Sequence, residues 1–439
     1  MSKPRKKPGN PDFRHSSSVP APPTEEIESR LFELLSPGTF TNLKRVKDKE
    51  RDLRDRVLTL PVMAAIVLSI VYRQIQHLTD VVRTLETETL LWAPTMQVSK
   101  QALSQRLNSL PSHLFLGLFD QVIERIAIKN RTKQLAHKWA PVAQKFSAVW
   151  IADASTLEAI KKHLGQLQEK TGKLLAGKIL MVVEAFTHCP VAVWYDTNPN
   201  CNETTWWEAL LRRLPVGGLI IVDMGFYGFE WFDSLTEAGK YVLTRQKSNV
   251  KYNVVRTLSR SSHYKDEIIK MGLHHTDPCK HQMRLVSVLW GKTWYRYLTN
   301  VVDPNLLSAQ EVCDLYRRRW RIEDAFLLTK RLLGLSYLWV GGVNGIKMQI
   351  FATWIFYAVL NDLCADVAIA LQQPLEQISV EMVFRSLYFF NRAQLQNPEL
   401  QLIPWLVEHH RSMGLVKAVR RRHRNNAQRS LDIWAPALT

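Results

Sequence analysis

Disulfide bonding, membrane spanning and nucleotide hydrolysis are each poorly provided for in this sequence. Its 439 residues include five cysteines (Cys189, Cys201, Cys279, Cys313, Cys364). No two of them form a Cys-x-x-Cys pair, which argues against a disulfide framework and against a paired-thiol zinc module. No signal peptide opens the chain, so a reducing cytoplasm is the expected compartment. The longest apolar runs, Leu60 to Tyr72 and Ile350 to Leu360, fall short of the roughly 20 residues that cross a bilayer as a helix and read as buried core segments. There is no internal repeat and no Walker-type glycine-rich phosphate loop, so a separate ATP-driven step is not indicated. Acidic residues are also scarce, with 40 Asp plus Glu against 58 Lys plus Arg for a net charge of +18. That imbalance favours a polyanionic partner, because neutralising phosphates releases counterions and supplies sequence-independent affinity.

What the sequence does contain is concentrated in one run, Leu315 to Gly334 (LYRRRWRIEDAFLLTKRLLG). Read as a helix at ~100° per residue, it places Tyr316, Arg319, Glu323 and Lys330 within about 60° of one another, an aromatic and two cations around a carboxylate. Leu315, Ile322, Phe326 and Leu333 form an adjacent apolar stripe, so the helix can be anchored while it presents the polar row. Asp324 points ~100° away from Glu323 and is not expected to act with it.

Two aspartates precede this run, each at the end of a short apolar stretch that reads as a buried strand: Asp153 after AVWIA and Asp223 after GLIIV, the latter followed by Gly225 and Phe226. Carboxylates from two strand ends and one helix suit hard divalent cations, which prefer carboxylate and water oxygens. The Y-x2-R-x3-E-x6-K spacing and the D-x-G-F pattern resemble the DDE-type transposases of bacterial insertion sequences in the group called insertion sequence family four. The resemblance covers roughly 148–347. It implies a catalytic Asp153, Asp223 and Glu323 holding two Mg2+, with Mn2+ able to substitute. It also implies double-stranded DNA as partner at element ends and target, a homodimer in the paired complex, and no membrane. Tyr316, Arg319 and Lys330 would bind DNA phosphate, since guanidinium, ammonium and phenol all donate to phosphate oxygens. Cut-and-paste joining through a hairpin intermediate follows from the resemblance alone. A site-specific nuclease on the same fold and a catalytically silent transposase-derived DNA-binding protein are the alternatives; the retained row and the three intact carboxylates favour transposition.

The expected fold is α/β, a ribonuclease-H-like core with an inserted β-rich subdomain between helical N- and C-terminal regions. Strands are expected at 178–187 and 190–196, joined tightly at His188-Cys189, and at 218–223 and 241–245, with helices at 202–214 and 230–238. The stretch from Asp223 to Glu323 is longer than one helix and one strand need, so about 246–303 is assigned to the insertion. Within it, 284–301 reads as a β-hairpin around Gly291-Lys292. Its rings Trp290, Trp294 and Tyr295 are candidates to stack on a flipped base, with Trp294 and Tyr295 foremost and not separable at this stage. His274, His275, Cys279 and His281 match no zinc spacing and read as a loop.

Residues 1–25 read as a disordered basic arm, 26–145 as a helical DNA-binding domain, 146–340 as the catalytic domain, and 341–439 as a helical region ending in the cationic stretch Lys417 to Arg424. Thr79–Leu85 and Ser99–Leu110 could form a helix-turn-helix-like pair, with Ser99 as N-cap and Lys100, Gln101, Gln105 and Arg106 as DNA contacts.

Overall fold

The computed structural model describes residues 24–35, 38–41, 43, 57–132, 139–158, 175–335 and 338–417. Apart from Thr24, Glu25 and Lys417, the expected basic arm and cationic C-terminal stretch lie outside these residues.

The apolar runs on either side of the two aspartates form the centre of a mixed sheet. Strands β1 (Val149–Glu158), β2 (Leu175–Glu184) and β3 (Pro190–Asp196) make an antiparallel meander. Strands β4 (Leu219–Ile221) and β5 (Tyr241–Arg245) then lie parallel to β1 and to each other. Ile151, Ile221 and Leu243 pack on one face, while Ala152, Ile220 and Val242 pack on the other. Burial on both faces explains why these strands are continuously apolar instead of alternating. The crossover helices α6 (Trp207–Arg213) and α7 (Phe229–Glu237) cover the second face. The first face is covered by the helices from the two flanks.

The insertion does not stand apart as a subdomain. It adds β6 (Tyr252–Arg260), β7 (Tyr264–Met271), β8 (Met283–Trp290) and β9 (Thr293–Thr299), and β9 pairs antiparallel with β5, giving one nine-stranded sheet ordered β3-β2-β1-β4-β5-β9-β8-β7-β6. Gly291 turns the β8–β9 hairpin at φ +64°, a left-handed conformation that glycine adopts without a Cβ penalty.

The N-terminal helices α1 (Glu25–Leu34), α2 (Leu60–Tyr72), α3 (Leu78–Thr87), α4 (Lys100–Ser109) and α5 (His113–Thr132) form a single core with the C-terminal ones. Helices α8 (Ala309–Arg318) and α9 (Arg321–Leu327) lead into α10 (Val343–Ala370), followed by α11 (Val380–Gln396) and α12 (Leu402–Glu408). Asp362 of α10 accepts from Arg30 at 2.9 Å and from Lys129 at 3.0 Å, tying α1 and α5 to it. The apolar run 350–360 lies inside the 28-residue α10, which is long and apolar enough to span a bilayer; 94% of its most apolar window is packed within the protein, as suits a core helix.

The helix-turn-helix expectation needs correcting. Helices α3 and α4 are joined through residues 88–99, where Leu90, Leu91 and Ala93 are buried, instead of through the 3–4-residue turn of that motif. Ser99 does cap α4, accepting from Ala102 N–H at 3.1 Å, and Lys100, Gln101 and Gln105 are exposed. Arg106, by contrast, donates to the Leu58 carbonyl at 2.9 Å and so braces the fold.

Candidate active site

Register brings the two aspartates together. Ile151 pairs with Ile221, so Asp153 and Asp223 lie two residues further along neighbouring parallel strands and on the same face of the sheet. Asp153 was expected to end its strand; β1 instead continues, paired with β2, to Glu158. Only the short β4 stops, and the gap beyond Ile221 opens the space into which both carboxylates project. Asp223 Oδ1 accepts from Gly225 N–H at 2.8 Å and caps a 3-10 turn at 224–226. A Cβ on Gly225 would stand 3.0 Å from that oxygen and 3.0 Å from Glu203 Oε2. Glycine therefore leaves room for Asp223, and the Glu203–Lys178 ion pair (2.5 Å) buttresses the turn from the far side of the sheet.

The carboxylate helix departs from a single regular helix. It starts at a Ser308/Glu311 capping box, which is reciprocal side-chain capping of the first turn, and breaks at Arg319–Trp320 with i→i+3 bonds. It restarts as α9 and ends in a π-helical turn at 328–332, closed by Leu333 N–H on the Leu328 carbonyl. The row still assembles. Asp153, Asp223, Arg319, Glu323 and Lys330 line one cleft of about 680 Å³, together with Ser155 and Phe326. Tyr316 is buried beside it, its hydroxyl held against ionisation by desolvation.

Electrostatics explain the arrangement. Arg319, 7% exposed, donates through Nη1 to Asp153 Oδ2 at 2.7 Å, and its Nη2 lies 3.6 Å from Glu323 Oε1. Burial raises the Asp153 carboxyl to about 6 against the pull of Arg319, and the negative charges of Asp223 and Glu323 add to the rise. Lys330 Nζ donates to Ser155 Oγ at 2.6 Å and to the Thr156 carbonyl at 2.7 Å. Among the described residues no three His, Cys, Asp or Glu side chains are placed to hold one ion as they stand; the Arg319 guanidinium bridges two of the three carboxylates. The donor set nevertheless fits a hard divalent cation, being acceptor-only carboxylate oxygens at a position where burial, and then the charges of Asp223 and Glu323, disfavour the ionised form of Asp153. Asp324 is exposed and does not line the cleft.

The hairpin rings divide between the two faces. Tyr297, Tyr295 and Trp290 follow one another on the cleft face: Tyr297 packs against Tyr316 at 5.2 Å, Arg245 lies 6.0 Å from the Tyr295 ring, and Arg317 5.4 Å from Trp290. Trp294, paired with Leu289, lies on the opposite face with Lys265 at 5.7 Å. Sequence alone could not separate Trp294 from Tyr295; the strand register does.

Two residues of this region go unmarked by the sequence motif. Arg245 ends β5 next to Asp223, half-buried, with no ion pair among the described residues. Trp320, at the break in the carboxylate helix, is 59% exposed with Arg319 5.1 Å away. A strand-ending cation and an aromatic inside the charged row are the signals that could have found them. The loop 274–281 is occupied structurally: Cys279 Sγ and the N–H groups of Lys280 and His281 all donate to Asp233.

The family of the transposase DDE domain matches residues 144–357. A Sinorhizobium fredii protein named as transposase y4zB is 23% identical over 202 residues, 44% of this chain and 55% of that one. A Geobacillus stearothermophilus protein named as a transposase for insertion sequence element IS5377 is 25% identical over 148 residues (33% and 38%). One of Synechocystis, for element IS4SA, is 23% identical over 165 residues (36% and 45%). The matched segments span about half the length of these relatives or less. Among solved structures there is a loose likeness to piggyBac transposase in its synaptic complex with hairpin DNA, at 14% identity and a TM-score of 0.36 over 94% of this chain and 89% of that one. The matched segment contains both strand-borne aspartates and the whole Tyr-Arg-Glu-Lys row, so residues 144–357, just under half of the chain, are similar to the transposase DDE domain in the part that builds the cleft.

Proposed function

We propose that the chain is a DNA transposase that nicks the ends of its own element and joins them to target DNA by cut and paste through a hairpin. The observation that carries this reading is convergence: residues from three distant stretches, 153–155, 223 and 319–330, line one cleft. The strand order β3-β2-β1-β4-β5, with β1, β4 and β5 parallel, supports a ribonuclease-H-like core.

Bound by Asp153, Asp223 and Glu323, Mg2+ (or Mn2+) would activate water and stabilise the attacking and leaving oxygens at a phosphodiester. The chain's own residues do the rest. Arg319 neutralises Asp153 in the DNA-free protein and is placed to turn its donors to a phosphate oxygen. Lys330, Tyr316 and Arg245 flank the same position, so the terminal phosphate is held by charge-assisted hydrogen bonds while the carboxylates stay ionised. Tyr295 and Trp290, on the cleft face, are placed to cover a base displaced from the end of the duplex. Two such chains acting as a homodimer would pair the two ends.

The test is a linear duplex carrying the terminal inverted repeat that flanks the gene, incubated with the purified chain. Nicking that leaves a 3′-hydroxyl, then a hairpin, then joining to a second duplex, all abolished by EDTA, is the expected result. Sequence-independent degradation, or no cleavage with any divalent ion, would refute it.

A further inference from the structure

Helix α2 closes on a residue ill suited to its backbone. Gln74 stands just past the helix at φ +55°, with its own N–H on the Val71 carbonyl at 3.2 Å and Ile75 N–H on the Ile70 carbonyl at 3.0 Å. This is the left-handed close of a helix, the position where glycine is favoured because it has no Cβ to clash. A glutamine there needs another reason, and its side chain supplies one. Its Nε2 donates to the Leu332 carbonyl at 2.6 Å, across 258 residues of sequence.

Leu332 is the last residue of the π-helical turn 328–332 that carries Lys330. The final carbonyls of a helix have no N–H partner within it, so the end of the turn takes a donor from outside. Within the turn, Leu333 N–H closes on the Leu328 carbonyl at 3.0 Å, and just before Lys330 the buried Thr329 hydroxyl donates to the Ala325 carbonyl at 2.9 Å. Gln74 holds the far end. A turn bonded i→i+5 contains one residue more than an α-turn, so regular helical spacing no longer fixes where Lys330 points. The contacts on either flank of the turn fix it instead, and Lys330 Nζ reaches Ser155 Oγ and the Thr156 carbonyl on β1.

We propose that Gln74 is a positioning residue for Lys330: its amide pins the turn so that the ammonium stays in the cleft. The inference rests on the reading in which Lys330 holds the terminal phosphate. It puts part of the geometry around the cleft under the control of an N-terminal helix, outside the segment 144–357 that is similar to the transposase DDE domain. It also accounts for the strained backbone, since strain at one residue persists where the surrounding structure holds it to a task.

The experiment uses the full chain and two variants, Gln74→Gly and Gln74→Glu. Glycine relieves the backbone but removes the donor, and glutamate keeps the length but, when ionised, only accepts. Gln74→Gly should melt at or above the wild-type temperature. Amide hydrogen exchange across 328–335, measured without DNA, should nevertheless quicken about tenfold, with exchange in β1 unchanged. On a duplex carrying the flanking terminal repeat, both variants should process ends about five- to tenfold more slowly while binding that duplex within about twofold of wild type. In a Lys330→Ala background neither should slow the reaction further. Wild-type exchange across the turn overturns the proposal, as does wild-type end processing by both variants, a fall in melting temperature that tracks the loss of rate, or an equal fractional loss in the absence of Lys330. If Lys330→Ala alone processes ends normally, the phosphate reading of that residue fails, while exchange across the turn still decides whether Gln74 holds it.

Discussion

Arg319 donates to Asp153 at 2.7 Å, so the residue that the sequence motif assigns to phosphate is here the partner of one of the two strand-borne carboxylates that line the cleft. On the proposed function, one guanidinium would serve two anions in turn. Replacing it should affect both the resting site and the loaded one.

Asp153→Asn, Asp223→Asn and Glu323→Gln should each lower cleavage of the cognate end by about a thousandfold or more, corresponding to ~4 kcal/mol, while leaving end binding near wild type. Asp324→Asn, outside the cleft, should cleave within about twofold. Cleavage and gel-shift assays on the same preparations decide; wild-type activity in any of the first three would remove that residue from the site.

Arg319→Ala and Lys330→Ala should slow end processing and joining by about ten- to a hundredfold while changing affinity for random duplex by less than threefold, since each deletes one charge-assisted contact among many. Arg319→Lys should recover only part of the rate, because a point charge lacks the fork that reaches both Asp153 and Glu323. An equal fall in affinity for cognate and random DNA, with no further loss in rate, would contradict this.

Tyr295→Ala should nick the first strand normally and stall at the hairpin step, whereas Trp294→Ala, on the far face, should process both strands. An abasic nucleotide at the flipped position should partly rescue Tyr295→Ala by removing the unstacking cost. The reverse pattern on a denaturing gel would exchange the two roles.

His188 makes stability depend on pH. Both ring nitrogens are shut off from solvent without a hydrogen-bond partner, and burial, with Arg318, Arg321 and Lys417 nearby, lowers its pKa to about 3. The unfolded chain takes up the proton first, near the ordinary histidine value of about 6.5, so this contribution is intact above that pH and falls as pH drops toward 3. Between pH 7 and pH 5 the loss should be on the order of 1–2 kcal/mol. Urea unfolding of wild type beside His188→Asn, which keeps a side chain tolerant of the left-handed backbone at φ +58°, should show the variant losing less. Parallel curves for the two would rule the histidine out.

The grouping of Asp153, Asp223, Arg319, Glu323 and Lys330 was legible because apolar runs and helix spacing are short-range features, although β1 runs on past Asp153 to Glu158, and Tyr241–Arg245 forms its strand as the pattern foretold. What sequence could not give was long-range. The break at Arg319–Trp320 and the π-turn under Lys330 follow from packing against β1 and α10, not from the local propensity of 315–334. The division of Trp294 from Tyr295 needed the β8–β9 register, where a slip of one residue would exchange them. β6 and β7 escaped notice because β6 is largely exposed and lacks an apolar face. The two helical flanks looked like separate regions because nothing local announces that Arg30 and Asp362 will meet.

Strand β9 occupies the hydrogen-bonding edge of β5, from Leu243↔Thr299 to Arg245↔Tyr297. The added strands therefore act as a cover for the core. Excising 247–300 would leave the β5 backbone without its outer partner a few residues from Asp223, and an unpaired edge at that point invites another chain to pair there. Shortened relatives of this protein would have to re-cover that edge before they could keep the chemistry.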